Sequence, residues 1–159
     1  MAWLKCLKKS SLSNYIYKNG VVNPNLGGGL SRDGYSRGAN NVGTVTFEST
    51  YIRFSNSYLQ GNTILGTVDK VDLTNFSKVK VKYKAGGTEY NSELNVSNIS
   101  GSRYIFITLS GYYDAGSGTI AMYSILGIAT SKTIPTSEPY VFLSGSANLV
   151  MDFYEIELE

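Results

Sequence analysis

Histidine is absent from this chain. Its absence removes imidazole general-base catalysis, the usual histidine-containing triads, and most zinc and non-haem iron sites. Cys6 is the single cysteine, so neither an internal disulfide nor a cysteine-based metal centre is available, and assembly in a reducing compartment is the natural expectation. Charge is scarce as well: fourteen basic and twelve acidic side chains leave a net charge of +2. Bulk attraction to nucleic acid or to an anionic membrane is therefore not expected. Nowhere does an apolar run approach the roughly 18 residues of a membrane helix, and no segment has the uninterrupted apolar stretch of about 7 to 15 residues that a secretory signal needs.

What remains is abundant: 13 Tyr, 6 Phe and 17 Gly among 20 Ser, 13 Asn and 12 Thr. Aromatic strand formers mixed with polar turn formers describe many short strands joined by tight connections. At 159 residues the chain accommodates one domain of about 150 residues. After an irregular, glycine-rich stretch up to Thr50, opened by a hairpin signal at Asn19-Gly20, runs such as TVTFE, TYIRFSN, TILGTV, KVKVKYK, SELNVS, RYIFITL, TIAMYSILGIA and PYVFLS follow at steady spacing. The Gly27-Gly28-Gly29 triplet lacks the Gly-Lys-Ser/Thr of a phosphate loop. The expected fold is all-β, a two-sheet β-sandwich over residues 14–159 preceded by a short arm, residues 1–13.

The arm, MAWLKCLKKSSL, sets Trp3, Leu4 and Leu7 against Lys5, Lys8 and Lys9 at helical spacing. A helix this short is marginal alone. It is either a frayed terminus or a docking element in which Trp3, Leu4 and Leu7 plug into a partner. The other terminus, NLVMDFYEIELE, reads as a strand central to a sheet. Strict alternation places Val150, Asp152, Tyr154, Ile156 and Leu158 on one face and Leu149, Met151, Phe153, Glu155 and Glu157 on the other.

In the run from Lys78 to Lys84, four lysines (78, 80, 82, 84) alternate with Val79, Val81 and Tyr83. A one-residue slip would bury four ammonium groups, so the register is fixed. The row is either an anion-binding stripe for a polyanionic cell-wall polymer or a solvated face with carboxylates across the ladder. The second reading has a candidate partner in Glu155, Glu157 and Glu159, whose period of two matches an antiparallel neighbour.

Sugar sites on β-sandwiches use flat aromatic faces flanked by amides and carboxylates. Two glycine-bounded stretches read as loops of that kind: Gly111 to Gly118, offering Tyr112, Tyr113 and Asp114, and Asn56 to Gly61, offering Tyr58 and Gln60. The same tyrosines also suit the plain role of capping the open end of the core. Catalysis is not expected, since Asp114 and Glu138 are isolated in sequence and a hydroxyl nucleophile would have only lysine as its base.

The stretch VDKVDLTNFSKVKVKYKAG, with a turn over Asp72 to Ser77, and the closing PYVFLSGSANLVMDFYEIELE, with Asp152 to Ile156, resemble an appendage domain of structural proteins from tailed phages and prophages of Gram-positive, clostridium-like bacteria. The likeness spans residues 15–159. It implies a jelly-roll-like, galactose-binding-like sandwich on a tail fibre, baseplate or capsid, assembled in the bacterial cytoplasm into the virion. It also implies other virion proteins as partners, a homo-oligomer with a trimer favoured, and host-surface glycan as ligand. In galactose-binding-like modules a terminal-strand aspartate supports calcium, but no second carboxylate here joins Asp152, so neither metal nor cofactor is expected. A free-standing carbohydrate-binding module and a purely architectural decoration protein are the alternatives.

Overall fold

The computed structural model of the chain describes residues 14–38, 41–56, 61–114, 116–143 and 149–159. The arm, with Trp3, Leu4 and Leu7, lies outside them. Among the described residues there is no helix, and two antiparallel sheets pack face to face as the sequence predicts.

The seven-stranded sheet is built around the terminal strand β13 (Val150–Leu158). Along one edge of β13 runs β8 (Lys78–Ala85), followed by β9 (Thr88–Asn95). The other edge is shared end to end. β5 (Ile52–Ser55) pairs with residues 150–153 and β1 (Tyr15–Lys18) with residues 155–157. Outside them sit β2 (Val21–Val22), beside β1, and β4 (Thr44–Phe47), beside β5. The six-stranded sheet runs from β12 (Tyr140–Phe142) through β11 (Thr119–Ala129), β10 (Ser102–Asp114) and β6 (Gly61–Thr67) to β3 (Leu30–Ser31), with β7 (Val71–Asp72) beside the start of β10. Between Lys18 and Val21 the chain reverses through Asn19 (φ 46°) and Gly20 (φ 96°). Positive φ at both central residues is what an Asn-Gly hairpin turn supplies at little steric cost.

The alternation expected of β8 holds. Val79, Val81, Tyr83 and Ala85 are buried while the four lysines stand half out. The antiparallel carboxylate neighbour is there too, with Glu157 opposite Lys80 and Glu155 opposite Lys82. Strict alternation fails, however, in β13. Met151, Phe153, Ile156 and Leu158 are all buried, although their spacing sends the two pairs to opposite faces. A bulge between Phe153 and Glu155 inserts the extra residue that turns both pairs inward. The turn that ends at Ser77 and the end of the terminal strand are neighbours in space: the amides of Ser77 and Lys78 both donate to the Glu159 carbonyl, at 2.6 and 2.9 Å.

The main core fills the space between the sheets with Phe54, Phe153, Tyr83, Ile107, Leu109 and Leu126 among others. A second, smaller core lies on the far side of the six-stranded sheet, where Tyr35, Ile64, Phe106, Ile125, Ala129 and Ile134 cluster beneath the segments 32–37 and 130–134. All seven residues of β6 are consequently buried. Two glycines make room there. A Cβ at Gly127 would stand 2.4 Å from Phe106 Cζ, and one at Gly66 2.4 Å from Tyr35 Cζ.

Candidate functional site

The sandwich has two dissimilar ends. At one end Asn14, where the arm joins, accepts a hydrogen bond from the Leu158 amide at 2.7 Å. At the other end lie Asn56 after β5, the start of β6 at Gly61, the far part of the β10–β11 hairpin and Leu149 before β13. The buried Asn56 stitches these together: its amide donates to the Leu149 carbonyl at 3.0 Å, and its Nδ2 to the carbonyls of Gly61 (3.2 Å) and Leu109 (3.3 Å).

Gly61 and Gly111, which bound the two stretches singled out from the sequence, fall at this second end. Gly61 is the register partner of Gly111, so the residue that follows 57–60 in sequence pairs with the one that precedes Tyr112, Tyr113 and Asp114. Tyr58 and Gln60 themselves lie outside the described residues, as do the side chains of 112–114. The backbone of the latter corrects the expectation of a loop. Residues 112–114 continue β10 and pair with Ala121, Ile120 and Thr119, leaving only 115–118 as the tip. Glycines at 111, 116 and 118 suggest a long turn in sequence, but the eleven-pair ladder with β11 carries the strand through Gly111.

A third aromatic group was not singled out from the sequence. Strand β12 pairs with β11 on one side only, with Tyr140 opposite Gly127 and Phe142 opposite Ile125. Alternation turns Val141 to the main core and sets Tyr140 and Phe142 outward, 38% and 60% exposed. Their rings meet edge to face, 5.3 Å between centroids and 88° between planes, and Phe142 makes a second edge contact with Tyr123 at 6.5 Å. Over Tyr140, 5.2 Å from its centroid, sits the Arg37 guanidinium. Arg37, Tyr123, Thr136, Tyr140 and Phe142 line a groove of about 310 Å³.

Arg37 is fixed through its backbone. Its carbonyl accepts from Asn62 Nδ2 at 3.0 Å, and Asn62 Oδ1 accepts in turn from Ser110 Oγ at 2.6 Å. Neighbouring Ser36 exchanges backbone hydrogen bonds with Lys132 and Ile134. One residue earlier, Tyr35 is buried and donates to the Thr67 carbonyl at 2.8 Å. Burial pushes its phenol well above the usual tyrosine range. The groove wall is thus held from below by packing and from both sides by hydrogen bonds, as a site formed before its ligand arrives requires.

The four arginines differ in what they hold. Arg53 grips both Asp152 oxygens at 2.8 and 2.9 Å, so the terminal-strand aspartate is engaged by a guanidinium. Arg32 bonds Asn41 and Arg103 bonds the Ser102 carbonyl. Among the described residues, no hydrogen bond or ion pair engages the Arg37 side chain, and its Nε is buried without an acceptor. A second concavity, about 210 Å³, lies on the outer face of the seven-stranded sheet among Lys80, Lys82, Asn91, Glu93, Glu155 and Glu157. Two of its charged groups, Lys80 and Glu93, are ion-paired. Lys80 meets Glu159 at 2.9 Å and Lys78 meets Glu93 at 3.4 Å.

The only sequence signal for the groove was the pair of aromatics at 140 and 142 in a run bounded by Pro139; Arg37 stands about a hundred positions earlier. Among the described residues, no group of three or more His, Cys, Asp or Glu converges as metal ligands would. No protein-family model, curated protein or solved structure matches the chain.

Proposed function

We propose that this chain is a non-enzymatic attachment and display domain, an appendage of a phage particle or phage-derived tail machine that presents a glycan-binding end to the host surface. The observation that carries the reading is the polarity of the sandwich. Asn14, from which the arm leaves, and the Gly61–Gly111 pair, next to which the candidate aromatics stand in sequence, lie at opposite ends of the strands. A domain fastened through Trp3, Leu4 and Leu7 would therefore hold Tyr58, Gln60, Tyr112, Tyr113 and Asp114 away from its anchor. Repetition in a homo-oligomer, a trimer by the phage resemblance, would multiply weak sugar contacts into useful avidity. The chain contains no histidine, and the carboxylates of the charged concavity lie across the ladder from lysines, which favours adhesion over acid–base chemistry.

Light scattering of the full chain beside its Trp3→Glu, Leu7→Glu variant tests the anchor. A loss of oligomer or of particle attachment supports the reading, and unchanged assembly overturns that part of it. Glycan binding that disappears in Tyr112→Ala, Tyr113→Ala supports the display role. A chain that binds glycans yet never joins a particle would be a free-standing carbohydrate-binding module, and one that joins particles without binding glycans would be an architectural decoration.

A further inference from the structure

The groove beside β12 holds the chemistry for a narrower ligand class than glycans at large. We infer that Arg37, Tyr140 and Phe142 form a subsite for an acidic pyranose, a sugar ring bearing a carboxylate or phosphate. The inference rests on the glycan-binding reading above.

Two observations converge. First, Phe142 and Tyr140 present aromatic surface to solvent on a short edge strand, although apolar area of that kind is normally covered. Aromatic faces of this kind accept the C–H face of a pyranose, with the Tyr140 hydroxyl and Thr136 at hand for ring hydroxyls. Second, the neighbouring guanidinium is positioned by its stack on Tyr140 and by the anchored backbone of residues 35–37, and among the described residues no anion engages it. A guanidinium offers a planar fork of donors that matches carboxylate and phosphate oxygens, and in Arg53 this chain uses that fork on Asp152. Glu138, the acidic residue nearest in sequence to the groove-lining Thr136 and Tyr140, is occupied by the Thr130 amide and hydroxyl. The anion that completes Arg37 would come from the ligand, and its sugar ring would cover the aromatics.

A glycan array carrying uronic-acid, sialic-acid and sugar-phosphate termini beside their neutral parents, probed with the full chain, tests this. Acidic termini are expected to bind at least about tenfold more strongly than their neutral parents, as one charge-assisted pair implies. Arg37→Gln should erase that preference while leaving neutral binding within about twofold, and Arg37→Lys should restore it only in part. Phe142→Ala, at an exposed position, should weaken acidic and neutral sugars alike without lowering the melting temperature. The relative signals of uronic and phosphate termini identify the natural source of the anion. Neutral and acidic glycans bound equally, with Arg37→Gln silent, would overturn this inference and leave the broader reading standing. No glycan bound at all would overturn both. A change of oligomeric mass in Phe142→Ala, with glycan signals untouched, would show that a second copy covers the groove and overturn it as well.

Discussion

The outward faces of the two sheets solve the same problem in opposite ways. On the seven-stranded sheet Lys80 and Lys84 of β8 stand between carboxylates of β9 and β13, and Lys82 faces Glu155 of β13. Nothing more is needed to keep that face in water. On the six-stranded sheet the corresponding face carries Ile64, Phe106 and Ile125, and two crossing segments bury it beneath Tyr35 and Ile134. At the margin of that cover Phe142 and Tyr140 stay exposed, and among the described residues Arg37 has no anion. The lesson is that the charged face is complete in itself, whereas the apolar face had to recruit distant loops and ended with groups that a ligand can satisfy.

That contrast should be broken hardest by Phe106→Ala. Removing a fully buried ring that seats against Gly127 should cost about 3–5 kcal/mol, read as a shift in the urea midpoint. A loss below about 1 kcal/mol would mean the second core is only loosely formed. Tyr35→Phe should cost about 1–2 kcal/mol near neutral pH, because the Thr67 carbonyl loses a buried donor. It also carries a pH signature. The folded phenol keeps its proton above the ordinary value of 10.0, while the unfolded one releases it there. The stability this group contributes is therefore whole below pH 10 and declines as pH rises beyond it. Unfolding midpoints between pH 9 and 11 should fall less steeply in Tyr35→Phe than in the parent chain.

The charged face should respond more weakly. Glu159 is held below the usual carboxylate range by its hydrogen bond and attraction to Lys80. Its contribution is present above the ordinary value of 4.5 and disappears as pH falls through the lower folded value. Glu159→Gln should flatten that part of the acid limb slightly, and 1 M salt should mask the difference. Smallest of all, Lys82→Ser should alter stability by no more than about 0.5 kcal/mol. A larger loss would show that the lysine row contributes more than solubility.

Much of the architecture was legible because it depends on local pattern. Alternation fixed the register of Lys78 to Lys84, Asn19-Gly20 announced its turn, and the apolar quality of the last strand marked it as central. Where the structure departs from the pattern, the cause is non-local. The bulge at Phe153–Glu155 exists because both halves of β13 must face one core while its second edge is divided between β1 and β5. Residues 112–114 belong to a strand because β11 offers partners that far, and no glycine count reveals a partner's length. The groove was hidden for a similar reason: Arg37 and Tyr140 are about a hundred residues apart, and they meet through the pairing of Ser36 with residues 132 and 134 and the hold of Asn62 on the Arg37 carbonyl.

By itself, then, the order of the side chains determined an all-β sandwich, a lysine-studded strand with its carboxylate neighbour and a chain without imidazole chemistry, since period-two patterning and composition act residue by residue. Only the tertiary structure decided that Gly61 and Gly111 share one end, which face needed a second core and which arginine has no anion among the described residues. Those outcomes depend on distant segments competing for the same edges and the same apolar surface.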